Sequence, residues 1–147
     1  SAAETDALTN LPNRYRFEQF VLEAKESGYS AVVLLFDVNY LKQTNDTRGH
    51  LAGDQLLCTA ADCIASSFGE NCFRFGGDEF AAIIINCTPE MIESMLRRFE
   101  KAEEEKNISI SYGYAYIDDI GKTSFKRLLD EADHKMYMHK EQIHAHH

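Results

Sequence analysis

The apolar pattern of this chain predicts an α+β domain whose antiparallel sheet follows the ferredoxin-like βαββαβ order, with an extra helix at each terminus. Three observations carry the prediction. Segments of helical and strand periodicity alternate as α-β-α-β-β-α-β-α. A Gly76-Gly77 pair sits between two strand-like runs, where a tight hairpin turn needs positive φ. With the terminal helices set aside, a split βαβ pair remains, whose helices are expected to pack on one sheet face.

The elements follow in order. After LPNR, Phe17, Phe20, Val21 and Ala24 form one helical stripe, and Gly28 is expected to end that helix. AVVLLF (31–36) is a continuous branched run, as expected of a strand covered on both faces, and it ends abruptly in Asp37. Residues 38–50 are polar and irregular, which predicts a loop or short helical turn. Leu56, Leu57, Ala60, Ile64 and Phe68 give the next helix, over about 51–68. CFRF, the Gly-Gly turn and DEFAAIII form the hairpin. Thr88-Pro89-Glu90 combines an N-cap, a first-turn proline and an acid, opening a helix with Ile92, Met95, Leu96 and Phe99 inward. Its end, EEEK (103–106), is expected to be solvated. ISISYGYAY (108–116) alternates as a strand. The last helix, from Thr123 or Ser124 to about 142, turns Phe125, Leu128, Leu129, Ala132 and Met136 inward.

The 147 residues suit a single domain spanning 1–147, and at 44% hydrophobic content a core forms without disulfides. No apolar run approaches the roughly 18–20 residues of a membrane span, and the opening SAAETDALTN does not read as a secretory signal. A net charge of −9 argues against a duplex nucleic-acid face. A single nucleotide is still accessible through a metal ion, which cancels phosphate charge without a basic surface. Cys58, Cys63, Cys72 and Cys87 contain no CxxC pair and read as reduced, buried or half-buried thiols. The histidines at 134, 139, 144, 146 and 147 gather at the end of the chain, where HAHH reads as an appended or frayed tail rather than a zinc site.

Chemistry concentrates elsewhere. Asp37 ends the most buried strand, where a charge is expensive unless paired. Asp78 and Glu79 follow the Gly-Gly turn of the hairpin expected beside it. Three carboxylates at neighbouring strand ends suit one or two Mg²⁺ ions and in-line attack at phosphorus. Gly76 and Gly77 let backbone N–H groups approach a phosphate closely. Lys42, five residues past Asp37, places an ammonium near a triphosphate. Asn45 and Asp54 carry groups that match a guanine edge. An Asx turn at Asn45-Asp46 and an exposed helix position for Asp54 are equally compatible with the spacing.

FRFGGDEF (73–80) closely resembles the signature of the GGDEF family, the diguanylate cyclases. DALTNLPNR (6–14), FDVNYLKQTNDTRGHLAGD (36–54), ISYGYA (110–115) and ADHKMYMHK (132–140) resemble its other motifs in order, so the resemblance covers nearly the whole chain. It implies a palm-type ferredoxin-like fold and condensation of two GTP into cyclic di-GMP with release of pyrophosphate. It implies Mg²⁺ or Mn²⁺ held by Asp37, the Val38 carbonyl, Asp78 and Glu79, with Asp78 as the base for a 3′-hydroxyl. Lys42 matches the lysine facing the phosphates, and Gly76, Gly77 and Lys140 match phosphate contacts. Asn45 and Asp54 match the guanine readers, with His50 beside them. Each half-site holds one GTP, so a homodimer is required.

The chain departs from the family in places. Asn39 stands where many members have Asp, Tyr40-Leu41 where many have two Phe, and His144 where many have Arg. Ser67 and Glu70 replace the Arg and Asp of the inhibitory product site, so no such site is expected. The chain is expected to be a catalytic piece of a longer bacterial signalling protein, with a sensory or dimerising module upstream. It is expected in the cytoplasm, free or as the cytoplasmic part of a membrane-attached sensor. The alternative is a weak or inactive module that binds GTP and regulates a partner.

Overall fold

The computed structural model describes residues 3–146, so the readings that fall on Ser1, Ala2 and His147 lie outside it. Its centre is β1 (Ala31–Val38), which is buried at every position, as the apolar run over 31–36 leads one to expect. On one side lies β3 (Glu79–Ile85), itself paired to β2 (Cys72–Gly76); on the other lies β4 (Ile110–Ile117). The order is β2-β3-β1-β4, antiparallel throughout, as βαββαβ demands. The register sets Phe36 between Phe80 and Tyr112, and Asp37 between Glu79 and Ser111.

The two crossover helices share one face of the sheet, and the terminal helices cover the other. Val32, Leu34 and Phe36 pack with Leu57, Ile64 and Phe68 of α3 (His50–Phe68) and with Ile92, Leu96 and Phe99 of α4 (Pro89–Lys106). Val33, Leu35, Ala81 and Ile83 pack with Phe17 and Val21 of α1 (Arg14–Glu23) and with Leu128, Ala132 and Met136 of α5 (Phe125–Ala145). The terminal helices therefore seal the face that the two crossover helices leave open. Gly113 makes the α5 contact possible: a Cβ there would run into the backbone of Ala132, Lys135 and Met136.

Three segments differ from the sequence expectation. Residues 38–50, expected as a loop or a short helical turn, hold a helix of 8 residues, α2 (Leu41–Arg48), entered through Tyr40 at φ +66 and separated from α3 by Gly49 at φ +89. None of its residues is fully buried, so it has no apolar stripe to announce it. The first helix stops at Glu23 rather than Gly28, because Ser27 turns back onto the Ala24 carbonyl through both its N–H and its hydroxyl. The last helix runs to Ala145, taking in half of the HAHH stretch.

Each sheet edge is covered in part by acceptors from outside the sheet. On β4 the Ile110 N–H donates to Glu103 Oε2 at 2.8 Å and the Tyr112 N–H donates to His139 Nδ1 at 3.0 Å. On β2 the Arg74 N–H donates to the Pro12 carbonyl at 2.9 Å. Glu103 thus faces inward rather than lying in a solvated EEEK tail, and burial pushes its carboxyl up to about 7. All four cysteines are free; Cys63 and Cys72 are buried and Cys58 and Cys87 half-buried.

Candidate active site

The hairpin turn between β2 and β3 positions the site. A register shift between Arg74 and Gly76 bends the strand, and Gly76 and Gly77 adopt φ +132 and +53, conformations that side chains other than glycine resist. The turn then folds back so that the Asp78 carbonyl accepts from the Val38 N–H at 2.8 Å. That bond sets Asp78 beside the end of β1, where Asp37 sits 8% exposed.

Asp37 Oδ2 accepts a 2.8 Å hydrogen bond from Lys140 Nζ of α5. Asp37 Oδ1 is buried with no hydrogen-bond partner among the described residues. The Asp78 carboxyl is pushed up to about 6, first by burial and then by the Asp37 carboxylate. Lys140 is held above its ordinary value by Asp37, and the charges of Asp78 and Glu79 act in the same direction. One carboxylate thus holds the ammonium, and two more act on it through their charge alone. An orphaned buried carboxylate oxygen next to a second carboxyl that resists ionisation is a site that fits a divalent cation, with hard oxygen donors of the kind Mg²⁺ and Mn²⁺ take.

Not every sequence candidate converges. Among the described residues, no three His, Cys, Asp or Glu side chains close on one metal-sized point. Asp37 and Asp78 form a pair. Glu79 lies directly across from Asp37 in the register, but it is exposed and lines a separate cleft of about 350 Å³ with Arg14, Phe75 and Phe80. Val38, Lys42, Asp78, Lys140 and His144 line a cleft of about 240 Å³ at the strand end. Asn45, His50 and Asp54 gather instead at the α2–α3 junction. Asn45 lies inside α2, which removes the Asx-turn reading, and its amide rests against Gly53, where a Cβ would collide with it. His50 and Asp54 are exposed on α3.

The departures have local explanations. Asn39 is buried and satisfied by two serines: its Nδ2 donates to Ser109 Oγ and Ser111 Oγ at 3.0 Å each, and its Oδ1 accepts from Ser111 Oγ at 3.1 Å. The His144 ring meets Tyr40 edge-to-face with centroids 5.4 Å apart. Ser67 is buried, and its carbonyl accepts from Arg98 Nη2 at 3.2 Å. Arg74 has a role that the sequence reading missed. Its Nη1 donates to both carboxylate oxygens of Asp6, at 3.0 and 3.1 Å, and its Nη2 donates to the Gly77 carbonyl at 2.8 Å. Opposite charges in two separate motifs were the available signal.

The sequence matches the profile of the family described as "Diguanylate cyclase, GGDEF domain" over residues 3–146. The chain belongs to the GGDEF family. It is similar to the probable diguanylate cyclase DgcJ of Escherichia coli, at 34% identity over 84% of this chain and 28% of that protein. It is also similar to the E. coli diguanylate cyclase DosC, at 33% identity over 92% of this chain and 32% of the relative. The chain thus spans about a third or less of these curated relatives' length. Among solved structures, it superposes on the coiled coil and GGDEF domain of DgcB from Caulobacter crescentus in complex with c-di-GMP. There the TM-score is 0.82 at 27% identity, covering 96% of this chain and 82% of that one. The diguanylate cyclase SiaD of Pseudomonas aeruginosa, solved with its activator SiaC, gives a TM-score of 0.83 at 25% identity, covering 96% of this chain and 59% of that one. Among the described residues of this GGDEF domain, no helix is long and apolar enough to cross a membrane.

Proposed function

We propose that this domain condenses two GTP into cyclic di-GMP and releases two pyrophosphates, one GTP being held by each of two copies that meet face to face. The observation that carries the reading is the Asp37–Asp78 pair at the end of β1, with Lys140 bound to Asp37 and Lys42 in the same cleft. Mg²⁺ or Mn²⁺ would be held by Asp37, Asp78 and the Val38 carbonyl, with Glu79 as the second-site acid, and when bound it neutralises phosphate charge and favours ionisation of the attacking hydroxyl. Asp78, with its carboxyl near 6, is mostly ionised at neutral pH yet basic enough to accept a proton. The 3′-hydroxyl of one GTP gives its proton to Asp78. Its oxygen bonds to the α-phosphorus held by the facing copy, and the bond from that phosphorus to the β-phosphate oxygen breaks. Repetition at the second half-site closes the ring.

Lys42 and Lys140 supply cations to the phosphates, and Gly76 and Gly77 allow the turn backbone to approach them. Asn45 and Asp54, with His50 at the same helix junction, read the guanine. The separation of Glu79 from the carboxylate pair favours a second reading, a module that binds GTP and regulates a partner without turnover. Incubation with GTP and Mg²⁺, with chromatographic separation of products, distinguishes them. Cyclic di-GMP that disappears in Asp78→Ala supports the cyclase; GTP bound without product supports the regulator.

A further inference from the structure

We propose that His139 is a positioning residue for Lys140: its neutral imidazole fastens the last turns of α5 to the edge of β4, sets the Lys140 ammonium on Asp37, and lets go when the ring is protonated. The inference rests on the reading of the Asp37–Lys140 pair as part of the catalytic cleft. Past Met136, helix α5 is mostly exposed. Tyr137, Met138, Glu141 and Gln142 are exposed, and among the described residues beyond Met136 only His139, Lys140 and Ile143 are half-buried. Adjacent helical residues point about 100° apart. His139 accordingly reaches the outer edge of β4 while Lys140 reaches the end of β1.

The tether is a directed hydrogen bond. The Tyr112 N–H donates to His139 Nδ1 at 3.0 Å, so Nδ1 must offer a lone pair and the ring proton must sit on Nε2. Tyr112 pairs with Phe36 in the sheet, one residue before Asp37, so the anchor and the target of Lys140 belong to neighbouring strands. The Tyr112 ring also meets the imidazole edge-to-face at 4.8 Å. An imidazolium would set its own N–H against the Tyr112 N–H, and the bond would be lost. The charged groups around the ring are few. From α4, Glu100 faces it and accepts the Tyr112 hydroxyl at 2.7 Å, with Glu103 beyond on the same strand edge; from α5 there is Lys140 itself. Burial holds His139 below its ordinary value and prevails over the Tyr112 backbone and Glu100, which pull the other way; the neutral ring is required by the direction of the Tyr112 bond.

The test uses two variants of the whole domain. His139→Asn places an oxygen acceptor near Nδ1 and cannot titrate; His139→Ala removes the acceptor. His139→Ala should lower kcat for GTP about tenfold or more, within the range that a misplacement of about 1 Å costs, whereas His139→Asn should stay within about threefold of wild type at pH 7.5. The ratio of His139→Asn to wild-type rate should rise as pH is lowered below 6.5, because only the wild type has an acceptor to lose. A ratio flat over that range, or equal rates for the two variants, overturns the proposal. Should wild type form no product, the cyclase reading fails separately, and ¹⁵N and ¹³C spectra still decide the inference. They should show an unprotonated His139 Nδ1 at pH 7.5 and, at that fixed pH, Lys140 side-chain resonances displaced in His139→Ala but not in His139→Asn. A protonated Nδ1, or Lys140 resonances unmoved by His139→Ala, refutes it.

Discussion

Arg74→Ala should destabilise the domain by about 2–3 kcal/mol while touching no residue of the carboxylate pair. Fully buried ion pairs lose about 3–5 kcal/mol when one partner is removed, but three features of this site reduce the figure. The side chains of Arg74 and Asp6 are 13% and 21% exposed, so water reaches both. Asp6 Oδ2 keeps its bonds from the Thr9 N–H at 2.8 Å and the Thr9 hydroxyl at 2.7 Å. Arg74 Nε is buried without a partner among the described residues, a cost that the variant relieves. Such a loss moves the melting temperature of a domain this size by about 5–10 °C. Burial alone would push the Asp6 carboxyl up, yet the bonds from Thr9 and Arg74 outweigh it and hold it below 3.8. The resulting stability is present above 3.8 and is lost as pH falls through the lower folded value. Urea denaturation followed by circular dichroism should therefore show the full gap between wild type and Arg74→Ala at pH 7 and a smaller gap near pH 3. A gap under about 0.5 kcal/mol at pH 7 would refute the reasoning, as would additivity with Asp6→Asn in a double-mutant cycle.

Asp78→Asn should abolish turnover yet gain stability at neutral pH, by at most about 1 kcal/mol because the group is partly solvated. Its carboxyl lies above the unfolded value, so wild type loses stability as pH rises from 3.8 through about 6, and thermal melts should show the variant's advantage vanish below pH 3.8. Glu103→Gln keeps an acceptor for Ile110, and its stability advantage over wild type should grow as pH rises from 4.5 through about 7. Equal melts at pH 8 would contradict the inward placement of Glu103. Asn45→Ala or Asp54→Ala should relax discrimination between GTP and ATP by about tenfold or more, read as the ratio of kcat/KM values. Cyclic di-GMP titrated calorimetrically with the cleft filled by a non-hydrolysable GTP analogue should find no site at Ser67 and Glu70, since Ser67 is buried.

Periodicity in the sequence was enough where an element buries a stripe. The run AVVLLF announced a strand with cover on both faces, and β1 is that strand. The α2 helix had no such stripe. It is held by Tyr40 in a left-handed conformation and by its junction with α3, features that hydropathy does not register. The sequence did not show which elements cover the second face: the terminal helices do, and Phe17 and Ala132 are as buried as Phe99. Asp37 and Asp78 were legible from motif order. The role of Arg74 was not, because its partner lies 68 residues away in the chain. The inward turn of Glu103 was hidden in an acidic run whose neighbours Glu104 and Glu105 are exposed.

The acceptors on the sheet edges bear on whether another chain can extend this sheet. A strand with bare N–H groups invites another chain to extend the sheet, the ordinary route to edge-on pairing and fibril growth. Here a carboxylate, an imidazole and a prolyl carbonyl already occupy the donors at Ile110, Tyr112 and Arg74. Sheet extension past those positions would have to displace them first. Backbone pairing is therefore disfavoured at those three positions, all on the outer strands, whereas Asp37 lies at the end of the central strand, away from either margin.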